Sequence, residues 1–231
     1  MNKKKPAAGA GATQSGKRIL IIDDHAIVRQ GLVHLINQEK DFTVCGDVDD
    51  ALKGMAAIDR LKPDLVMVDI SLPGMNGIEF IKNAKARNPD LPVLVLSMHD
   101  ESLYAERSLR AGALGYVMKG AKSGEIMAAL RKALRGEIYT SAKVGMALLQ
   151  KSLGNQPTQS VSLVSVLSDR ELEVFELIGK GKTTREIAGV LNLSIKTVDS
   201  HRMHIKEKLG ITTATELVRH AVHHVGNVTA P

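Results

Sequence analysis

The sequence predicts an α/β protein with a parallel sheet, followed by a smaller all-helical domain. In the first two-thirds of the 231-residue chain, five short apolar runs alternate with segments whose apolar residues recur at helical spacing. Strands that alternate with helices form parallel sheets, because the crossover helices cover both faces of the sheet. After about residue 165 the helical spacing continues without a strand-like run. This change predicts a separate helical domain.

The predicted strands are short runs rich in Ile, Leu and Val. They are 18–23 (RILIID), 42–48 (FTVCGDV), 65–70 (LVMVDI), 92–97 (PVLVLS) and 115–118 (GYVM). Helices are predicted between and after them, near 25–38, 50–61, 76–88, 101–111 and 123–135. We expect Ser123 to cap the last of these helices and Gly136 to end it. A further short helix is expected near 141–151.

Composition divides the chain into four parts. Residues 1–16 are expected to form a flexible tail, and residues 17–136 the α/β domain. Residues 137–165 are typical of a linker with one short helix, because 152–165 are rich in Ser and Gln. Residues 166–228 are expected to form the helical domain.

The net charge of +6 is unevenly distributed. Residues 17–140 hold 17 Lys+Arg and 17 Asp+Glu, and residues 161–231 hold 9 and 8, so the excess lies in the tail and the linker. Charge alone therefore does not predict DNA binding. The chain has no run of about 18 apolar residues, so no membrane span is expected. The N-terminus lacks the apolar core of a secretory signal. The single cysteine, Cys45, is expected to be an inert buried thiol, and it fits a reducing cytoplasm.

Polar residues follow the ends of four predicted strands. Asp23 and Asp24 end the first strand, and Asp69 lies near the end of the third. Ser97 ends the fourth strand and Lys119 follows the fifth. Parallel open sheets bind ligands beyond the carboxyl ends of their strands. We therefore expect these five side chains to meet at one edge of the sheet.

The chemistry of this predicted site favours phosphoryl transfer. Three close carboxylates repel one another, and a divalent cation offsets that repulsion. Carboxylate oxygens suit Mg²⁺. With the cation bound, Asp69, the lone acid on the central strand, is the candidate nucleophile toward a phosphoryl group. Lys119 and Ser97 would then contact the phosphoryl oxygens.

These motifs resemble the receiver domain of two-component response regulators. The resemblance rests on DD after the first strand, VDISLPGMNG around the third, LS at the fourth and GYVMK at the fifth. It covers residues 17–136 and implies a flavodoxin-like (βα)5 doubly wound sheet with strand order 2-1-3-4-5. It also implies that Asp69 accepts phosphate from a sensor histidine kinase.

The resemblance assigns further roles around this site. Asp24 would ligate Mg²⁺ directly and Asp23 largely through water, and the backbone carbonyl of Ser71 would be a third protein ligand. Ser97 and Tyr116 resemble the family's switch pair, in which the hydroxyl moves to the phosphoryl group and the aromatic ring turns inward. A tyrosine packed at the edge of the sheet is the alternative interpretation of Tyr116.

Four other positions also follow the family pattern. Pro73 and Gly77 would shape the loop after the acceptor. Ser71 and His99 lie two residues beyond the acceptor and the switch hydroxyl, at positions that tune dephosphorylation in the family. Lys119 is followed by Gly120, where many receivers have proline; related regulators often lack that proline.

The C-terminal domain has the pattern of a helix-turn-helix. Ser168 and Glu171 have the spacing of a capping box. Thr184 and Ser194 are expected to cap the next two helices, REIAGVLN and IKTVDSHRMHIKEKL, which a tight turn joins. A fourth helix is expected near 213–224. The predicted core is Ile187, Ala188, Leu191, Val198, Ile205 and Leu209.

Residues 167–225 resemble the LuxR-type helix-turn-helix. The resemblance rests on LSDRELEV and on the spaced pattern EIA..L..S..TV..H...I..KLG, which begins at Glu186. Together with a receiver, this places the chain in the NarL/FixJ subfamily and implies that helix 195–208 reads double-stranded DNA in the major groove. Asp199, Ser200 and Met203 occupy positions that often face base edges. The residues expected to contact phosphates are Lys196, Arg202, Lys206 and Lys208, and Thr197 is also expected on the exposed face. The alternative for these four basic residues is a solvated charged surface.

The resulting prediction is a transcription regulator, not an enzyme, that forms a homodimer when phosphorylated. One alternative is a phosphorylation-independent DNA binder whose receiver only dimerises. Another is a Mg²⁺-dependent aspartyl phosphohydrolase, which leaves the helical domain unexplained. The segments GATQSGKR (11–18) and GKGKTT (179–184) approach the phosphate-loop pattern, but the first lacks the required hydroxyl at Arg18 and the second has Glu176 at the first glycine position.

Overall fold

The computed structural model describes residues 16–153 and 163–229; the predicted N-terminal tail and the middle of the predicted linker lie almost wholly outside these ranges. The five strands are β1 (Lys17–Ile22), β2 (Phe42–Val48), β3 (Leu65–Val68), β4 (Val93–Ser97) and β5 (Gly115–Met118). All neighbouring strands pair in parallel, in the order β2-β1-β3-β4-β5. The predicted fold class and strand order are confirmed.

Helices follow each strand and continue into the second domain. The first six are α1 (Ala26–Asn37), α2 (Ala51–Leu61), α3 (Gly77–Arg87), α4 (Glu101–Arg110), α5 (Ser123–Leu134) and α6 (Ala142–Ser152). The C-terminal helices are α7 (Asp169–Gly179), α8 (Thr184–Leu191), α9 (Ile195–Leu209) and α10 (Ala214–Thr229). A short 3₁₀ turn at Leu163–Val166, which spans the end of the predicted linker, was not predicted.

The apolar run of β1 is buried on both faces of the sheet. Ile19 and Ile21 pack in one core, and Leu20 and Ile22 pack in the other. All four side chains are at most 1% exposed. Two-sided burial explains why this strand has no alternating polar residues. The core on the Leu20 side continues into the C-terminal domain, where it includes buried residues such as Phe175.

Two predicted helix caps were wrong by one residue. The N-cap of α5 is Lys122, because the first helical bonds, from the N–H groups of Glu125 and Ile126, already run to the Lys122 carbonyl. Ser123 is therefore inside the helix. The N-cap of α8 is Thr183, since Glu186 lies three residues after it and completes a capping box.

The other predicted caps are confirmed, but the last helix, predicted near 213–224, runs five residues further, to Thr229. Ser168 and Glu171 form the capping box of α7, and the Ser194 side chain accepts the Thr197 N–H at the start of α9. Gly136 follows α5 with a positive φ of 75°, the conformation that favours glycine after a helix. The predicted helix-turn-helix core residues are buried, except for Leu209, which is partly buried.

Two further observations concern the predicted burial of Cys45 and the expected absence of a membrane span. Cys45 is a free thiol of intermediate exposure, so the prediction of a buried thiol was wrong. Its strand β2 lies at the edge of the sheet and is only partly covered. None of the helices in residues 16–153 and 163–229 combines the length and the apolar character that crossing a bilayer requires.

Candidate functional site

An acidic pocket lies at the carboxyl ends of β1 and β3. Ligand atoms of Asp23, Asp24, His25 and Asp69 all lie within 4.8 Å of one another. The Nζ atom of Lys119 is 2.7 Å from Oδ2 of Asp23 and 2.8 Å from Oδ2 of Asp69. Asp23 and Asp69 are each 2% exposed. The structure thus brings together the predicted acids and the predicted lysine.

Charge and burial act together in this pocket. Burial raises the pKa of Asp24, and the neighbouring Asp69 and Asp23 raise it further, while His25 opposes them. Burial works against the charge of Lys119, but Asp69 and Asp23 prevail and raise its pKa. The lysine is therefore an ammonium ion that compensates two buried carboxylates in this structure.

The donor set fits a hard divalent cation. Three carboxylates supply oxygen atoms within a few ångströms of one another, and one ammonium group compensates part of their charge. His25 also reaches this cluster, since its Nδ1 is 2.6 Å from Oδ1 of Asp24. Sequence reasoning did not name His25; the signal was its place directly after the two aspartates.

The loop after Asp69 depends on two glycines. A Cβ atom at Gly77 would lie 2.1 Å from the carbonyl oxygen of Asp69. Gly74 has a positive φ of 76°. Within this loop the Ser71 hydroxyl contacts Nε2 of His99 at 2.6 Å. The close approach of the backbone at Gly77 sets where Asp69 lies relative to α3.

The predicted switch residues both contact His99. The Ser97 hydroxyl oxygen accepts a hydrogen bond from the His99 N–H at 3.2 Å, and the Tyr116 hydroxyl donates to the His99 carbonyl at 2.8 Å. Ser97 is fully buried and Tyr116 is 2% exposed, so the tyrosine ring already points inward. Burial strongly raises the pKa of the Tyr116 hydroxyl, which stays protonated and able to donate.

Polar contacts join the two domains on the side of α3 and α4. Nδ1 of His99 is 2.8 Å from Oε2 of Glu176 on α7. Arg107 donates to the carbonyls of Leu167 and Val164 and pairs with Asp169. Sequence reasoning did not predict these contacts. They were not predictable because a single sequence does not show how two domains dock.

Further bonds continue this interface along the acceptor loop. Arg170 donates to the carbonyl of Gly74 and to that of Leu191 at the end of α8. The Gly74 N–H donates to the same Leu191 carbonyl at 3.2 Å. Lys82 on α3 pairs with Asp169 at 2.9 Å. The loop that follows Asp69 is thus bonded directly to the helix-turn-helix.

The predicted DNA-binding residues lie on α9. The more exposed ones are Lys196, Asp199, Met203 and Lys208, and the partly exposed ones are Thr197, Ser200, Arg202 and Lys206. The ammonium of Lys208 is paired with Glu171 at 2.6 Å. His201 is half-buried, and burial lowers its pKa, as expected of a structural histidine.

An acidic, lysine-bridged pocket on a five-stranded parallel sheet, joined to a helix-turn-helix, defines a response regulator. The comparisons with known proteins agree. Residues 19–131 match the family "Response regulator receiver domain", and residues 165–221 match "Bacterial regulatory proteins, luxR family". The oxygen regulatory protein NreC of Staphylococcus aureus (strain bovine RF122 / ET3-1) is 36% identical over 209 residues, which cover 89% of this chain and 96% of NreC.

Solved structures give the same result. RcsB of Salmonella typhimurium aligns with a TM-score of 0.66 and 27% identity, covering 93% of this chain and 99% of RcsB. RcsB from Salmonella enterica serovar Typhimurium, bound to promoter P1flhDC in the presence of phosphomimetic BeF3-, aligns with a TM-score of 0.62 and 28% identity, covering 90% and 100%. The chain belongs to the NarL-type response regulators. It is a phosphorylation-controlled, DNA-binding transcription regulator.

Proposed function

We propose that Asp69 is the phosphoacceptor of this regulator. The observation that carries the proposal is its position: it is buried beside Asp23, with Lys119 at 2.8 Å from Oδ2. One carboxylate oxygen of Asp69 attacks phosphorus, the bond from phosphorus to the kinase histidine breaks, and an acyl phosphate forms. Lys119 and the Ser97 hydroxyl then contact the phosphoryl oxygens.

The same proposal assigns the cation site. Asp23, Asp24, Asp69 and the backbone carbonyl of Ser71 would hold Mg²⁺. When bound, the cation supplies positive charge to the phosphoryl oxygens during transfer. The clustering of three carboxylates supports this assignment, because in its absence their repulsion is offset only in part by Lys119.

The proposed partners are a sensor histidine kinase and double-stranded DNA. Residues of α9 would enter the major groove, with Asp199, Ser200 and Met203 toward base edges. Phosphate contacts are assigned to Lys196, Arg202, Lys206 and Lys208, with Thr197 beside them. The RcsB relative solved on a promoter with a phosphomimetic supports this assignment. We further propose that phosphorylation produces a homodimer, which matches two α9 helices to two half-sites.

The proposed chemistry is limited to one phosphoryl group per protein, with slow hydrolysis, so the protein is not a turnover enzyme. The helical domain supports a regulator over a phosphohydrolase, since hydrolysis of a small substrate would leave that domain without a role. The intact acidic pocket supports phosphorylation control over a receiver that only dimerises. The single cysteine supports a reducing cytoplasm as the compartment.

The test is phosphorylation with a small-molecule phosphodonor and Mg²⁺. Wild-type protein should acquire one phosphoryl group, and Asp69→Asn should acquire none. Asp59→Asn, which removes an exposed aspartate on α2, is the matched control and should label like the wild type. If Asp69→Asn were labelled equally, the acceptor would lie elsewhere.

If Asp69→Asn left DNA affinity and oligomeric state unchanged with phosphodonor present, a phosphorylation-independent binder would replace the proposal. Repeated turnover of a phosphate monoester would indicate the hydrolase.

A further inference from the structure

We propose that His99 is a third switch residue, which couples Ser97 and Tyr116 in the receiver to Glu176 in the DNA-binding domain. The inference rests on the proposed function, because it needs Asp69 to be the site where the signal arrives. It goes further by naming the residue and the contact through which the two domains communicate.

His99 bonds to both switch residues through its backbone. Its N–H donates to the Ser97 hydroxyl oxygen at 3.2 Å, and its carbonyl accepts from the Tyr116 hydroxyl at 2.8 Å. These two bonds fix the main chain of His99 at the start of the loop between β4 and α4. A movement of the Ser97 or Tyr116 side chain therefore changes a hydrogen bond that positions the His99 backbone.

The imidazole of His99 lies between the acceptor loop and the second domain. Its Nε2 atom is 2.6 Å from the Ser71 hydroxyl, two residues after Asp69, and its Nδ1 atom is 2.8 Å from Oε2 of Glu176. The ring also packs against Tyr104, with ring centroids 4.5 Å apart. Four polar contacts thus converge on this one residue, three from the receiver and one from α7.

The contact between His99 and Glu176 is shielded from solvent. The two side chains are 14% and 9% exposed. A shielded contact between a ring nitrogen and a carboxylate is stronger than the same contact at the surface. It is also sensitive to position, because a buried carboxylate that loses its partner is costly. A small displacement of His99 is therefore sufficient to favour separation of the domains.

Phosphorylation would displace His99 through Ser97. When the Ser97 hydroxyl turns to a phosphoryl oxygen on Asp69, it no longer accepts the His99 N–H as it does here. The Tyr116 ring is already buried, so the first movement falls on Ser97 and not on the aromatic ring. The loss of this backbone bond releases the His99 ring from Glu176, and the remaining contacts around Arg107 and Arg170 then open.

The released contact controls the orientation of the DNA-binding domain and does not uncover its recognition face. The hydrogen bonds described between the domains involve residues 164–176 and Leu191 of the C-terminal half. On α9, Lys196, Asp199 and Met203 are exposed while these bonds are in place. Release therefore frees each helix-turn-helix to align with a second copy on adjacent half-sites.

The test asks whether breaking the contact between His99 and Glu176 raises DNA affinity in a protein that cannot be phosphorylated on Asp69. Glu176→Ala and the double variant Asp69→Asn/Glu176→Ala are compared on a 40-base-pair duplex selected in vitro by phosphorylated wild-type protein. We expect the double variant to bind about tenfold more tightly than Asp69→Asn alone. Glu176→Ala should be labelled by phosphodonor at least to the wild-type extent, because Glu176 lies outside the acidic pocket and the contact it loses opposes the phosphorylated state.

Two controls separate coupling from general loss of structure. Glu106→Ala removes an ion pair with Lys151 that lies within the receiver half, and in the Asp69→Asn background it should not raise DNA affinity. Glu176→Gln keeps an oxygen that accepts the imidazole N–H, so it should raise affinity less than Glu176→Ala. A folded double variant that binds like Asp69→Asn would overturn the inference. Absence of phosphodonor labelling on wild-type Asp69 would instead overturn the proposed function, and the inference with it.

Discussion

The ammonium of Lys119 lies 2.8 Å from Oδ2 of Asp69, and it also bridges to Asp23 at 2.7 Å. Lys119 comes from the loop after β5 and Asp69 from the end of β3, so two separate crossovers place them together. The lysine compensates carboxylates that burial would otherwise make costly. Its two partners are among the acids that are proposed to face the cation, so the lysine offsets part of the pocket's negative charge before any ligand binds.

We expect Mg²⁺ to stabilise the folded protein through these carboxylates. At ten times its dissociation constant, a ligand that binds only the native state adds about 1.4 kcal/mol to the free energy of unfolding. Thermal or urea unfolding with Mg²⁺ and with EDTA measures this difference. Asp24→Asn should lose most of it, whereas Asp59→Asn, far from the pocket, should retain it. Equal Mg²⁺ effects in both variants would place the cation elsewhere.

Gly77→Ala should damage both stability and phosphorylation. The added methyl would lie 2.1 Å from the Asp69 carbonyl oxygen, so the acceptor loop or α3 has to move. We expect a cost of about 2 kcal/mol in urea unfolding and slower labelling of Asp69. Gly31→Ala is the control, since that position is helical and has open space. It should stabilise by roughly 0.5–1 kcal/mol; a similar loss in both variants would exclude a local effect at Asp69.

Glu173 should make stability depend on pH. Burial raises its pKa from 4.5 to about 7, although Arg170 opposes the shift. Between these two values the folded protein binds more protons than the unfolded chain, so the free energy of unfolding falls as pH rises through the window. Relative to Glu173→Gln, wild-type protein should lose on the order of 3 kcal/mol between about pH 4 and pH 8, as an upper bound. Urea unfolding at several pH values measures the difference.

The control for this experiment is Glu207→Gln, which changes an exposed glutamate on α9. Its difference from wild type should stay nearly constant over the same pH range. A wild-type profile parallel to that of Glu173→Gln would mean that Glu173 is charged in the folded protein. Oε1 of Glu173 has no hydrogen-bond partner among the described residues, whereas Oε2 accepts from Arg170 at 2.6 Å, which is the contact that opposes the rise in pKa.

The receiver fold was predictable because burial on both sides of the sheet leaves continuous apolar runs. The strand ends differ from the prediction: β3 ends at Val68, two residues before the predicted end. Asp69 leaves the strand there, although its N–H still donates to the Ile22 carbonyl. The acidic pocket was predictable from the same strand ends, since Asp23, Asp69 and Lys119 each directly follow a strand and Asp24 is the next residue after Asp23.

The contacts between domains were not predictable from the sequence. His99 and Glu176 are 77 residues apart, and neither belongs to a periodic pattern that predicts a partner. Their pairing depends on how the helix-turn-helix docks against α3 and α4, which involves backbone groups such as the Gly74 carbonyl. The predicted caps at Ser123 and Thr184 were each wrong by one residue because two adjacent polar residues lie at each helix start. They are Lys122 and Ser123 in one case, and Thr183 and Thr184 in the other.

DNA affinity should fall steeply with salt, and Lys206→Ala should flatten that dependence. Each phosphate contact contributes about 0.9 to the slope of log affinity against log salt, so we expect the variant to lose about one unit.

Lys208→Ala should lose less, because the Lys208 ammonium is paired with Glu171 at 2.6 Å and would have to leave that carboxylate to reach a phosphate. Lys40→Ala, an exposed lysine of the receiver, is the control and should leave the slope unchanged. Fluorescence anisotropy of a labelled duplex over a salt series gives the four slopes, for the wild type and the three variants. A slope for Lys206→Ala equal to that of Lys40→Ala would remove Lys206 from the DNA interface.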